Sequence, residues 1–139
     1  FGPSTALFEN CEIRSKTNSY VTAASTPEDI AVGYVFKNCK LTANPGVDKV
    51  YLGRPWRPYA ATVFINCEMG KHIRPEGWHN WGKEENEKTA RYAEYNSTGE
   101  GAAAAGRVKW AKQLTKKEAA QYDDLNYIYR MCSDWKPEN

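Results

Sequence analysis

Long apolar runs are missing from this 139-residue chain. Their absence excludes a membrane-spanning helix, which needs about 20 predominantly apolar residues. Charge of one sign is also scarce: the net charge of +2 is too weak to imply nucleic acid. Histidine occurs twice, as His72 and His79, in a Trp-rich loop without a nearby nucleophile. No Gly-x-Ser-x-Gly elbow, phosphate loop or metal motif is present, so no cofactor is expected. Neither Cys-x-x-Cys nor nearby His spacing is present, which argues against zinc. The chain has no signal peptide and opens at Phe1-Gly2-Pro3 without an initiator Met, so a processed chain or fragment is expected.

What remains is an ordinary 41% hydrophobic content and a length that suits one domain over residues 1–139. Five Trp and nine Tyr lean towards carbohydrate or interface work, although aromatics also build cores. Three segments echo one another: Leu7-Phe8-Glu9-Asn10-Cys11, Val35-Phe36-Lys37-Asn38-Cys39 and Val63-Phe64-Ile65-Asn66-Cys67. Their Phe, Asn and Cys positions recur every 28 residues. A fixed period in this range marks stacked supersecondary units. Short apolar segments that begin on aromatic or β-branched residues suit strands.

Strands recurring once per coil predict a parallel β-helix, with equivalent residues stacked about 4.8 Å apart. A β-sandwich with coincidental spacing is the weaker alternative. Phe and Cys should form interior ladders, and Asn10, Asn38 and Asn66 a ladder at a turn. A degraded fourth copy is expected with Tyr92 at the Phe position and Tyr95 at the Cys position. Arg107–Trp110 could make a last strand. Thr115 followed by Glu118 is a capping-box pattern that predicts a short helix to about Tyr122. The apolar residues of the tail, Leu125, Tyr127, Ile128, Met131 and Trp135, should pack it along the side. Cys11, Cys39 and Cys67, sharing one repeat position with parallel Cβ vectors, are expected as free buried thiols. Cys132 has no assigned partner.

The tract Tyr51-Leu52-Gly53-Arg54-Pro55-Trp56 sets a cation beside an aromatic within a conformationally restricted frame. Arg54 offers a planar fork that fits a carboxylate, and Trp56 a broad apolar face. The bland alternative is a surface cation–π pair. The repeat places this tract on a solenoid wall, just before the third Phe-x-Asn-Cys strand. With the loop from Arg74 to Trp81 it could make an aromatic-sided groove, and Arg54, Arg57, Lys71 and Arg74 would attract an anionic polymer. Alternatively, Trp78 and Trp81 anchor that loop on the core. Glu84, Glu85 and Glu87 read as a solvated turn.

Leu52-Gly53-Arg54-Pro55-Trp56 resembles the Leu-Gly-Arg-Pro-Trp signature of the pectin methylesterases. Pro75-Glu76-Gly77-Trp78, Glu94 to Gly99 and Gly106-Arg107-Val108-Lys109-Trp110 resemble later blocks of that family in the same order, and the likeness runs to Asp134-Trp135-Lys136-Pro137. The resemblance implies an all-β, right-handed parallel β-helix with a short C-terminal helix and an irregular tail. It implies hydrolysis of galacturonate methyl esters in pectin, through an Asp nucleophile, an Asp acid/base and a Gln that steadies the oxyanion.

Arg54 corresponds to the Arg that orients the nucleophilic Asp. Trp56 matches an aromatic of the substrate cleft; Trp78 and Phe1 resemble further ones, with Tyr59 expected beside them. Phe1-Gly2 resembles the end of the family's Asp-Phe-Ile-Phe-Gly nucleophile motif, so both Asp and the Gln are expected upstream of Phe1. Asp29, Asp48, Asp123, Asp124 and Asp134 stand in no matching context. The chain alone is therefore expected to be inactive. Methylesterified pectin is the expected partner, with no nucleic acid or membrane. A monomeric intact enzyme, secreted or periplasmic, follows from such a substrate. A non-catalytic carbohydrate-binding β-helix and a polysaccharide lyase are the alternatives.

Overall fold

The computed structural model describes residues 2–129. Phe1 lies outside the described residues, as do Met131, Cys132 and Trp135 of the tail. Ten short strands among the described residues wind into three parallel sheets, of which only the first two coils give a strand to every face. The first sheet runs β1 (Ala6–Glu9), β4 (Tyr34–Lys37), β7 (Ala61–Ile65), β9 (Arg91–Tyr95) and β10 (Lys112–Gln113). The second holds β2 (Glu12–Ser15), β5 (Lys40–Ala43) and β8 (Glu68–Met69). The third pairs β3 (Tyr20–Ala24) with β6 (Tyr51–Pro55). This is the expected parallel β-helix.

The corner between the first two faces explains the recurring Asn. Asn10, Asn38 and Asn66 all take left-handed backbone conformations, with φ of 55°, 55° and 53°. Asn tolerates that region better than other residues bearing a side chain, because its short amide can bond locally. Asn96, at φ 51°, makes the same corner one coil later, and its Nδ2 donates to Asn66 Oδ1 at 2.9 Å.

The fourth coil is therefore real, but its register differs from expectation. Phe8, Phe36 and Phe64 align in consecutive strands, and Glu94 aligns with Phe64. Tyr92 pairs with Thr62, and Tyr95 with Ile65. The cause is length: 30 residues separate Asn66 from Asn96, two more than the earlier period. A two-residue shift keeps each side chain on its face, so the alternation survives while the alignment moves.

Inside the coil, Phe8 stacks on Phe36 at 4.8 Å and Phe36 on Phe64 at 4.6 Å, with ring planes within 9°. Trp78 and Tyr92 continue this spine, stacked at 4.2 Å. Cys39 and Cys67 are buried beside it, whereas Cys11, in the first described coil, is half-buried. Each inner thiol donates to a carbonyl of the preceding coil: Cys39 to Phe8 and Cys67 to Phe36.

The outer surface of the first sheet is covered too. Val35, Val63, Ile65 and Ala93 meet Ala119 of α2 (Lys116–Ala120) and Ile128 of α3 (Leu125–Ile128), so β7 is buried on both faces. The capping box forms as expected: Glu118 N–H donates to Thr115 Oγ1, and Thr115 N–H to Glu118 Oε1. The α-helix stops at Ala120 and tightens into a 3-10 turn over Gln121–Asp123. The last strand is Lys112–Gln113 rather than Arg107–Trp110, because Arg107 turns inward into the core.

Burial pushes the Cys67 thiol up to about 12 and raises that of Cys39 as well. Since the thiolate is the reactive form, Cys39 and Cys67 should resist alkylation in the folded chain while Cys11 reacts first. Mass-spectrometric mapping of iodoacetamide adducts under native conditions checks this; equal labelling of all three would contradict the interior ladder.

Candidate active site

The third face carries the site, and Gly53 shows why its sequence is restricted. A Cβ on Gly53 would lie 2.3 Å from Thr22 Oγ1 and 3.0 Å from the Trp78 ring. Thr22 is itself held, donating to the Leu52 carbonyl at 3.0 Å. Gly53 bridges to Trp78, and its carbonyl accepts from His79 N–H at 3.1 Å. Strand β6 thus lies flat against the indole of the next coil. Trp78, expected as a cleft aromatic, is only 1% exposed and packs into the core, where it contributes to the floor of a depression beside Tyr51, His79 and Trp110. The close approach at Gly53 draws it under the wall.

Arg54, the next residue, is half-buried between two aromatic faces. Its guanidinium carbon lies 4.2 Å from the Tyr20 ring centre and 3.8 Å from that of Trp81. Its Nε is buried and has no hydrogen-bond partner among the described residues. Trp81 stands edge-on to Trp56 at 4.9 Å, and Trp56 is 46% exposed. Trp81 adopts φ of 62°, a genuine outlier for a bulky residue and one that needs outside support. That support is local: Trp81 N–H donates to His79 Nδ1, and Gly82 N–H to Asn80 Oδ1. Asn80 in turn donates to Glu87 and accepts from Asn86 of α1 (Asn86–Thr89) through its carbonyl. Trp81 was absent from the expected site residues, because only this loop geometry brings it onto Arg54. Of the two readings for Trp78 and Trp81, the core claims the first and the wall the second.

The aromatic–cation series continues along the wall. Tyr20 stacks on Tyr51 at 5.3 Å, and Arg74 lies over Tyr51 at 4.9 Å while pairing with Glu76. A depression of about 510 Å³ follows, lined in part by Tyr51, His79, Asn80, Lys109 and Trp110. Lys71 does not join this wall; it lines a separate depression on the β5–β8 face together with His72. His72 is 3% exposed rather than a surface residue, and burial lowers its imidazole below the ordinary value. Arg57 is exposed on the turn after β6.

Tyr59 sits on that same turn, but it interacts with Glu28 and Arg91 rather than with Arg54. Interaction with Glu28 raises its phenol above the ordinary value, and its carbonyl accepts from Arg91.

Beneath the wall, Glu94 and Arg107 form a bidentate pair at 2.8 and 3.0 Å, exposed by 5% and 2%. Arg107 also donates to the carbonyls of Gly101, Arg74 and Pro75. The Trp78 indole N–H reaches the same Glu94 carboxylate at 3.4 Å. Three separated motifs of the sequence, around Trp78, Glu94 and Arg107, therefore meet at one buried point.

Fold and wall together define a parallel β-helix with an arginine–aromatic surface across its third face. The pectinesterase family model matches residues 1–131. The chain belongs to the pectinesterase family. Pectinesterase 31 of Arabidopsis thaliana is 42% identical over 129 residues, covering 92% of this chain and 41% of that protein. Pectinesterase QRT1 of the same plant is 35% identical, covering 93% and 34%. Among solved structures, the pectin methylesterase from carrot superposes with a TM-score of 0.80 at 28% identity, covering 96% of this chain and 47% of that one. A pectin methylesterase in complex with a hexasaccharide gives 0.77 at 30% identity, covering 97% and 47%. The chain thus spans less than half the length of these relatives.

Breaking a buried pair from one side leaves an uncompensated charge and costs about 3–5 kcal/mol. Arg107→Met should therefore destabilise the fold by that amount, measured by urea denaturation. A loss below about 1 kcal/mol would show that Glu94 finds other compensation.

Proposed function

We propose that this chain forms one wall of the active site of an enzyme that hydrolyses galacturonate methyl esters in pectin. The observation that carries the reading is Arg54: a guanidinium held between Tyr20 and Trp81, with a buried Nε lacking a partner among the described residues. An arginine in that state is ready for a carboxylate, and the charged form of that carboxylate would be favoured beside it. Trp56 offers the adjacent apolar face on which a sugar ring can lie.

In this reading Arg54 orients a nucleophilic Asp, which attacks the ester carbonyl and expels methanol. A second Asp protonates the departing methanol and then takes a proton from the incoming water; a Gln steadies the oxyanion. None of these three groups is assigned within this chain. The reading places them in sequence outside it, so the 139 residues alone are inactive. Substrate binding rests on Trp56, with Trp81 as its partner. Action on an extracellular polymer makes the intact protein a secreted or periplasmic one, and a monomer suffices for the chemistry.

Methanol release from methylesterified pectin tests this. The 139-residue chain should release none, and fusion behind the upstream half of a pectinesterase should restore turnover. In that fusion Arg54→Ala should lower kcat/KM by about a hundredfold or more, as loss of a charge-stabilising donor does. Trp56→Ala should act mainly on KM. Unchanged kinetics in Arg54→Ala would remove Arg54 from the mechanism, and methanol release by the isolated chain would refute the external carboxylates.

A further inference from the structure

Trp56 opens the turn that joins β6 to β7, and little of that turn is secured by its own backbone. Trp56 N–H donates to the Ala24 carbonyl at 2.9 Å, and Ala60 N–H to that of Arg57 at 3.1 Å. The remaining anchor comes from the following coil. Arg91, first residue of β9, directs Nε and Nη2 to the Tyr59 carbonyl at 3.1 and 2.7 Å. The same Nη2 donates to the Pro27 carbonyl at 3.1 Å, in the loop after β3. Arg91 N–H meets the Ala60 carbonyl at 2.7 Å. The Tyr59 phenol interacts with Glu28 of that same loop, which raises it above its ordinary value.

We propose that Arg91 is a positioning residue for the substrate-facing wall, clasping the Trp56 turn to the loop after β3 so that Trp56 keeps its edge-on seat against Trp81. The inference rests on the reading of Trp56 as a sugar-facing side chain. Its physical basis is the planar guanidinium, whose fixed fork can serve two carbonyls on two different loops at once. A lysine keeps the charge but presents its donors from one flexible point, so it can replace only part of the clasp. Arg91 is half-buried, which strengthens charge-assisted bonds relative to an exposed position. With the Arg91 side chain removed, the Tyr59 carbonyl loses both guanidinium donors and the Pro27 carbonyl loses one, so the side-chain link between the turn and the loop after β3 is lost and Trp56 samples other orientations.

The test uses the 139-residue chain, its Arg91→Ala and Arg91→Lys variants, and each of these combined with Trp56→Ala. Circular dichroism first establishes that each chain is folded. Affinity for methylesterified oligogalacturonide is then measured by calorimetry, and acrylamide quenching reports the Trp56 indole, taken as the difference between each chain and its Trp56→Ala version. Arg91→Ala should weaken binding roughly tenfold, Arg91→Lys by less, and neither should add to the effect of Trp56→Ala, since the cycle isolates what Arg91 does through Trp56. Quenching of Trp56 should rise in Arg91→Ala. A tenfold loss that persists undiminished beside Trp56→Ala would overturn the proposal as a general structural effect, and so would unchanged binding with unchanged quenching. If no chain binds the oligosaccharide, Trp56 quenching, which needs no ligand, decides the positioning role alone, and the functional reading stands or falls on methanol release by the fusion.

Discussion

The Glu94–Arg107 pair is the constraint on which the last coils depend. Glu94 occupies the inward position that Phe8, Phe36 and Phe64 fill in earlier coils. A carboxylate there is untenable without a partner, because burial penalises its charged form severely. Arg107 answers both oxygens and spends its remaining donors on three backbone carbonyls of neighbouring loops. The pair thereby binds the segments around residues 74–75, 94 and 101–107 into one body. A phenylalanine in the same place would extend the spine but gather no loops.

From that pair a short sequence of contacts leads to the surface. Glu94 accepts from the Trp78 indole, Trp78 lies against the bare backbone of Gly53, and Arg54 follows Gly53 in the same strand. The wall side of this strand is then closed by Trp81, held in its left-handed conformation by His79 and the Asn80 network. Core and wall are thus one arrangement seen from two sides. Such supporting contacts are what hold a functional side chain within the small tolerance that positioning requires. The same logic explains why a Gly, Trp, Glu and Arg scattered over 55 residues of sequence act together.

Much of this was legible in the residues themselves. The Phe-x-Asn-Cys period revealed the coil, since three equal spacings have few other causes, and the helix after Thr115 was legible from its capping pair. The fourth coil was misaligned because a two-residue lengthening preserves alternation while breaking the period. Trp78 and Trp81 could not be separated by composition: a three-residue interval places one inside and one outside only once Gly53 and the turn at Trp81 are known. The pairing of Glu94 with Arg107 left no sequence signal beyond the two motifs that contain them. Arg54 and Trp56 occupy one wall as expected, whereas Tyr59 proved to be tied to Glu28 and Arg91.

Under the proposed function, Arg54 is held for a carboxylate supplied from outside residues 2–129. A crystal structure of the chain fused behind the upstream half of a pectinesterase tests that most directly. A carboxylate within hydrogen-bond distance of the Arg54 guanidinium, beside an unchanged Tyr20–Trp81 clamp, is the predicted result. An Arg54 turned to solvent, or paired with a carboxylate of residues 2–129, would contradict it.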